Sequence, residues 1–244
     1  MPEVTFVGTG EAFDPELPNT SLLYRGSTAL LIDCGYRVPH ALWAISRDPS
    51  LLDAIYISHL HADHSFGLPA LLLWMREEGR TRPLTVIGGP GLDAWLTKLL
   101  ELGYPGSYDQ GFTIERKELA PGSKLYLAGA ILSNAKSQHG VRNLSLRIDE
   151  QERSLCYSGD GAPSDATEAL YREASLLVHE CYAAQDGPGG HASLDAIASM
   201  AARVHVQSLC LVHLGRAHKT AIHDDARARG PWIRIPAPGD TVQV

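Results

Sequence analysis

The chain is short of positive charge, cysteine, methionine and aromatic residues, and it has no long hydrophobic run. Lysine and arginine total 21 against 28 aspartates and glutamates, a formal net charge of -7. Such a field repels nucleic acid overall and leaves room only for a local basic rim. No apolar stretch approaches the roughly 20 residues needed to cross a bilayer, and Met1-Pro2-Glu3 lacks the basic start of a signal peptide. We therefore expect a cytoplasmic chain with no membrane association. The four cysteines, Cys34, Cys156, Cys181 and Cys210, show no C-x-x-C spacing. Three of them sit in apolar, strand-like surroundings, which argues for buried free thiols over disulfides or a cysteine-zinc site. Linker-like and low-complexity segments are also missing. At 244 residues and 44% hydrophobic, the expectation is one globular domain spanning 1–244 with a substantial core.

What is present is concentrated in Ser58-His59-Leu60-His61-Ala62-Asp63-His64-Ser65, which follows the apolar run Ala54-Ile55-Tyr56-Ile57. Imidazole nitrogens suit zinc, iron and copper, and a lone carboxylate among histidines leaves room for water at a bound metal. The spacing points to two ions. His59 and His61 project the same way if the chain is still extended, whereas the adjacent Asp63 and His64 diverge, as ligands of neighbouring metals would. A histidine-rich surface turn would need neither this spacing nor the strand before it.

The rest of the chain reads as alternating elements. Strands are expected at Val4–Val7, at Ser21–Tyr24 and Ala29–Ile32 around Gly26, at Ala54–Ile57 and at Leu84–Ile87. Helices are expected at His40–Arg47, at Gly67–Glu78 closed by Gly79, and through about Leu102 from an opening at Gly89-Pro90-Gly91. Trp74 and Met75 read as core packing. A run of strands fills Phe112–Leu132. Strands near Leu144–Ile148 and Leu155–Tyr157 follow, then a helix from Ser164, a strand at Leu176–Val178, a helix from Ser193 and a strand at Leu209–Val212. Strands followed by helices, twice over, predict two β-rich halves packed face to face with helices outside. Further chemistry-bearing residues stand at later strand ends: His139, Asp160 within Ser158-Gly159-Asp160-Gly161, and His213 after Leu209–Val212. His40, His205 and His223 read as scaffold or surface.

The run Ile57-Ser58-His59-Leu60-His61-Ala62-Asp63-His64-Ser65-Phe66-Gly67-Leu68-Pro69 resembles the signature loop of the metallo-β-lactamase fold superfamily, in its ribonuclease Z branch. The turn Asp33-Cys34-Gly35 and the pair Asn19-x-Ser21 are similar to segments of that branch. Pro18 stands where its pattern has arginine and Tyr36 where it has glutamate, departures that weaken the carry-over of transfer-RNA processing. Asp33 could support the metal loop, or simply close a strand-end turn. His179-Glu180 is similar to the branch's His-Glu-Ala-Thr segment, here ending Cys181-Tyr182, and Gly190-His191-Ala192-Ser193, after Gly187-Pro188-Gly189, to its His-Ser-Thr segment. The resemblance runs from Val4 to about Gly239.

That resemblance implies an αββα sandwich holding two divalent ions, zinc first with manganese or iron as alternatives. His59, His61 and His139 would hold one ion, Asp63, His64 and His213 the other, with Asp160 bridging. Ions about 3.5 to 4 Å apart would share a bridging water or hydroxide as nucleophile. Asp63 would also accept its proton. Glu180 would orient His191, which would protonate the leaving group. Arg142, Arg216 and Lys219 are candidates to neutralise a substrate phosphate at the rim. In that branch the arm that grips transfer RNA is often inserted between the positions of His139 and Asp160, and here that stretch has room only for a hairpin. The expected substrate is therefore a small phosphodiester or short nucleotide rather than folded transfer RNA, and the expected assembly is a homodimer. Two other readings stay open: a thioester, lactone or lactam hydrolase on the same core, and a mononuclear iron dioxygenase, for which Asp63, His64 and His213 would be superfluous.

Overall fold

The computed structural model describes residues 1–107, 111–185 and 190–244; of the segment Gly187-Pro188-Gly189-Gly190, the first three residues lie outside them. Two seven-stranded sheets carry the fold. The first runs, in spatial order, β14 (Thr241–Gln243), β1 (Glu3–Gly8), β2 (Ser21–Arg25), β3 (Ala29–Ile32), β4 (Ala54–Ile57), β5 (Leu84–Gly88) and β6 (Ile114–Glu118). The second runs β13 (Ile233–Arg234), β12 (Leu209–Val212), β11 (Leu176–Glu180), β10 (Arg153–Tyr157), β9 (Leu144–Glu150), β8 (Ala130–Lys136) and β7 (Lys124–Leu127). Each is mixed in the same way: parallel from β3 to β6 and from β10 to β13, antiparallel elsewhere.

The layering follows from alternation along the strands, because successive side chains leave opposite faces. Leu22, Tyr24, Leu30, Ile32, Ala54 and Tyr56 meet Leu146, Ile148, Leu155, Tyr157, Val178 and Val212 in the core between the sheets. Their neighbours Leu23, Leu31, Ile55 and Ile57 turn outward onto Val38 and Leu42 of α1 (Val38–Ile45), Leu68 to Met75 of α3 (Leu68–Glu77) and Leu92 and Leu96 of α4 (Leu92–Gly103). On the other side Cys156, Leu177, Leu209 and Leu211 pack on Tyr171 of α5 (Asp165–Tyr171), Leu194 and Ile197 of α6 (Leu194–Arg203) and Ile222 of α7 (Lys219–Arg229). Strands covered on both faces are necessarily apolar throughout, as β4 and β12 are. The architecture is the expected αββα sandwich. The four cysteines are buried free thiols, and Met75 is core, with Trp74 packed against it.

Four elements carry too weak a sequence pattern to be foreseen. α7 buries only Ile222 and Ala226, β13 and β14 are two and three residues long, and the four-residue α2 (Ala62–Ser65) lies inside the metal motif. No helix among the described residues is long and apolar enough to cross a membrane.

Candidate metal centre

The candidate residues gather where the parallel strands end at their carboxyl termini, the usual place for a site in mixed and parallel sheets. Strand β3 is followed by Asp33, a non-glycine residue at φ 59. Its carboxylate accepts both the Ser58 amide and the Ser58 hydroxyl at 2.7 Å, which turns the chain leaving β4. The Ser65 hydroxyl donates to the His61 carbonyl at 2.6 Å and closes the α2 turn that presents Asp63 and His64. Gly35 lies against that turn so closely that a Cβ there would sit 1.9 Å from the Asp63 carbonyl oxygen.

His59, His61, His139 and Asp160 form one group of donor atoms, all within 4.8 Å of one another. His59 Nε2 is 3.0 Å from His61 Nδ1 and 3.7 Å from Asp160 Oδ2, and His139 Nε2 is 3.5 Å from His61 Nδ1. The outer nitrogens are engaged elsewhere: His59 Nδ1 with the Ser58 hydroxyl at 3.1 Å, His139 Nδ1 with the Gly190 carbonyl at 3.0 Å. Such contacts select the tautomer whose lone pair faces inward.

Asp63, His64, His213 and the same Asp160 form the second group. His64 Nε2 lies 3.3 Å from both Asp63 Oδ2 and Asp160 Oδ1, and His213 Nε2 lies 3.3 Å from Asp63 Oδ2 and 3.6 Å from Asp160 Oδ1. Asp160 therefore turns one oxygen to each group. His213, at φ 54, is held by its amide donating to the Thr9 carbonyl at 2.9 Å.

The residues fit a pair of cations on the chemistry of their donors. His64 Nε2 and Asp160 Oδ1 are buried without a hydrogen-bond partner although only 3.3 Å apart, an arrangement costly unless something satisfies both. Burial, then repulsion from His64, holds His59 well below the ordinary imidazole range, so its lone pair is available. Burial opposes charge on His64 and His213 as well, but there the carboxylates prevail. Asp160 and Asp33 hold His64 well above the usual value, and Asp160 with Asp63 pushes His213 up to about 9. Burial likewise opposes ionisation of Asp63 and Asp160, yet the same histidines hold both carboxyls far below the ordinary range. The pocket favours positive charge at its centre.

Beside it, His191 Nδ1 lies 2.9 Å from Glu180 Oε1, an oxygen that also accepts the Gly161 amide at 2.6 Å. This hydrogen bond, ahead of the opposing effect of burial, raises the His191 imidazole above its ordinary value. Glu180, His191 and His213 form a third convergent group. At the rim, Arg216 Nε is 2.6 Å from the buried Glu11 carboxylate, and Lys219 pairs with the buried Asp14. The exposed guanidinium of Arg142 donates to the Pro90 carbonyl at 3.0 Å. His40, His205 and His223 are exposed, outside all three groups. Nothing local in the sequence marked Tyr157, whose hydroxyl donates to Asp33 at 2.8 Å, or the Gly190 carbonyl that orients His139.

A family model described as anti-Pycsar protein Apyc1 matches residues 2–229. The ribonuclease Z of Methanothermobacter thermautotrophicus is 26% identical, with 90% of this chain and 88% of that one covered. That of Bacillus thuringiensis is also 26% identical, over 89% and 90%. Among solved structures, the metallo-β-lactamase fold protein YhfI of Bacillus subtilis superposes with a TM-score of 0.83 at 23% identity over 99% of this chain and 98% of that one. The short form of human tRNase Z gives 0.82 at 21%, over 99% and 98%, and a diphosphatase of the PhnP family 0.77 at 17%, over 100% and 98%. The fold is the metallo-β-lactamase fold in its ribonuclease Z-like form.

Proposed function

The chain belongs to the anti-Pycsar protein Apyc1 family, and from that membership we propose that it is a two-metal phosphodiesterase acting on a small cyclic or short nucleotide diester. It is a metal-dependent hydrolase. The observation that carries the finer reading is the convergence of two histidine and aspartate groups on the shared Asp160, with the Glu180–His191 pair alongside. Relatives named ribonuclease Z and a PhnP-family diphosphatase support phosphorus as the centre attacked. The reading takes residues 1–244 as one hydrolase domain, with a homodimer as its assembly.

In this reading His59, His61 and His139 would hold one divalent cation and Asp63, His64 and His213 the other, with Asp160, a member of both groups, available to each. Zinc suits these donors first, with manganese or iron as alternatives. Two such ions would supply Lewis acidity to a bound phosphodiester and to water beside it. Asp63, whose Oδ2 lies 3.3 Å from His64 Nε2 and His213 Nε2, would use its second oxygen to take the proton from the attacking water. His191 donates to the departing oxygen, and Glu180 keeps that proton on the ring. Arg142 is the first choice for a phosphate contact, because Arg216 and Lys219 are each matched by a buried acid.

The preference for a small substrate rests on two features. Between His139 and Asp160 lies only the antiparallel β9–β10 pair, with no segment to grip a folded RNA. The net charge of -7 offers no compensating field. The test is a panel assayed with zinc- and manganese-loaded protein: an aryl phosphodiester, cyclic nucleotides, precursor transfer RNA, a thioester and a chromogenic lactam. The expected result is cyclic or short diesters well ahead of the others. Preference for the thioester or lactam would overturn the phosphodiesterase reading, and preference for precursor transfer RNA the small-substrate part of it.

A further inference from the structure

We propose that Tyr182 is a positioning residue that fixes the plane of the His191 imidazole, an inference that rests on the phosphodiesterase reading above. The two rings stack with centroids 4.7 Å apart and planes 29° from parallel. The His213 ring lies farther off, 6.2 Å away at 13°, and the His139 ring stands edge-on at 5.3 Å and 74°. Of these three rings Tyr182 is the nearest and the one stacked most closely on His191. The Glu180 hydrogen bond fixes where Nδ1 sits but leaves the ring able to swing about that contact. A flat neighbour across the face removes the remaining freedom, and offset aromatic stacking at this separation is favourable in itself. Orientation matters because a misplacement of about 1 Å in a reacting group can cost about a hundredfold in rate.

The backbone is arranged to bring these rings together. Beyond the end of β11, the Tyr182 amide donates to the Ala192 carbonyl at 2.9 Å and the Leu194 amide to the Ala183 carbonyl at 2.8 Å. This short parallel bridge, pairing Ala183 with Ser193, sets residue 182 against residue 192, next to His191. Gly215 completes the arrangement. Its φ of -57 would suit any residue, yet a Cβ there would stand 2.1 Å from the Tyr182 carbonyl oxygen and 3.2 Å from its ring Cδ1. The chain therefore keeps position 215 without a side chain where the tyrosine passes. In the ribonuclease Z pattern that Glu180 resembles, position 182 corresponds to threonine, which has no ring to stack.

The step served is proton donation. As the oxygen of the attacking water bonds to phosphorus and gives its proton to Asp63, the phosphorus bond to the departing oxygen breaks and its electron pair leaves with that oxygen. The proton on His191 Nε2 moves to the oxygen, and the imidazole ends neutral with Nδ1–H still facing Glu180. A sugar alkoxide needs this proton, whereas a nitrophenolate leaves readily without it. Loss of ring positioning therefore falls selectively on alkoxide leaving groups.

The experiment compares wild type, Tyr182→Leu, Tyr182→Phe and His191→Ala, all metal-loaded, on 3′,5′-cyclic AMP and on bis(p-nitrophenyl) phosphate. Tyr182→Leu is expected to lower kcat on the cyclic nucleotide about tenfold more than on the aryl diester, a part of the 10²–10⁴-fold typical of general acids, with KM little changed. Tyr182→Phe should restore the ratio, and His191→Ala should show the same selectivity more strongly. In a ¹H–¹³C spectrum the His191 ring protons should shift in Tyr182→Leu and stay in Tyr182→Phe. Equal losses on both substrates, failure of phenylalanine to rescue, or unmoved His191 resonances in the leucine variant would each overturn the proposal. If His191→Ala is selective and Tyr182→Leu is not, only the role of Tyr182 falls. If wild type hydrolyses neither diester, the phosphodiesterase reading falls and takes this one with it.

Discussion

Asp33 holds His64 by a 2.7 Å contact between its Oδ2 and the histidine's Nδ1, deep enough that both side chains are almost wholly out of solvent. The same oxygen accepts the hydroxyls of Ser58 at 2.7 Å and Tyr157 at 2.8 Å. With Nδ1 so occupied, His64 can present only Nε2 to the space shared with Asp63 and Asp160. Partners behind a ligating histidine are worth about 10- to 100-fold in metal affinity. Asp33→Asn should therefore weaken zinc binding by about that factor, measured by competition with a chromogenic chelator. An unchanged midpoint would remove Asp33 from the metal site and leave it a strand-end turn.

Metal removal is expected to show in stability as well as in rate. An ion at a hundred times its Kd stabilises a folded chain by about 2.7 kcal/mol, and a chain of this size moves by about 2–4 °C per kcal/mol. Stripping the protein with a chelator should lower Tm by roughly 5–10 °C, and adding zinc back should restore it. Asp160→Ala, which removes the oxygens facing both groups, should abolish most of that recovery. Full recovery in the variant would exclude Asp160 as a ligand.

Gly35→Ala probes the packing that supports the metal loop. Its Cβ would meet the Asp63 carbonyl oxygen at 1.9 Å, with the Asn19 Cβ at 2.7 Å, and backbone cannot move aside as a flexible side-chain tip would. Overpacking of this kind costs about 1–3 kcal/mol. The expected result is a lower Tm together with less metal bound per chain, read by elemental mass spectrometry. Loss of stability with full metal content would confine the effect to packing.

The two sheets are also tied at the far end of β9, where Glu150 accepts the Tyr24 hydroxyl at 2.7 Å, the Ser27 amide at 2.9 and 3.0 Å and the Ser27 hydroxyl at 3.0 Å. Burial alone would raise this carboxyl, but the Ser27 amide and the Tyr24 hydroxyl outweigh it and hold the group below its ordinary value of 4.5. A folded-state value below the unfolded one means the stabilisation is complete above that ordinary value and is lost as pH falls through the folded one. Glu150→Gln should cost about 1–3 kcal/mol at pH 7 by urea unfolding. The gap from wild type should hold steady down to about pH 5 and narrow in more acid solution. A constant gap to pH 3 would show that the charge of Glu150 contributes nothing.

The sandwich was legible from alternation and runs, because strands buried on both faces cannot hide their apolar character. The histidine and aspartate motif was legible for a similar reason: its spacing is local, and the strand before it marks where it sits. Residues such as His139, Asp160 and His213 could be nominated only as strand-end candidates matching a family order. α7, β13 and β14 were not legible, since an element that buries two residues or spans three leaves almost no periodic trace.

The sequence by itself determined the layered architecture and the concentration of metal-competent donors after β4, both consequences of short-range patterns. Tertiary structure alone decided which oxygen of Asp160 faces which histidines, that Asp33 meets Tyr157 across 124 positions of chain, that Glu11 and Asp14 neutralise Arg216 and Lys219, and that Tyr182 lies over His191. These are contacts between strand ends and loops. They depend on the order in which strands lie side by side, and no local spacing of residues records that order.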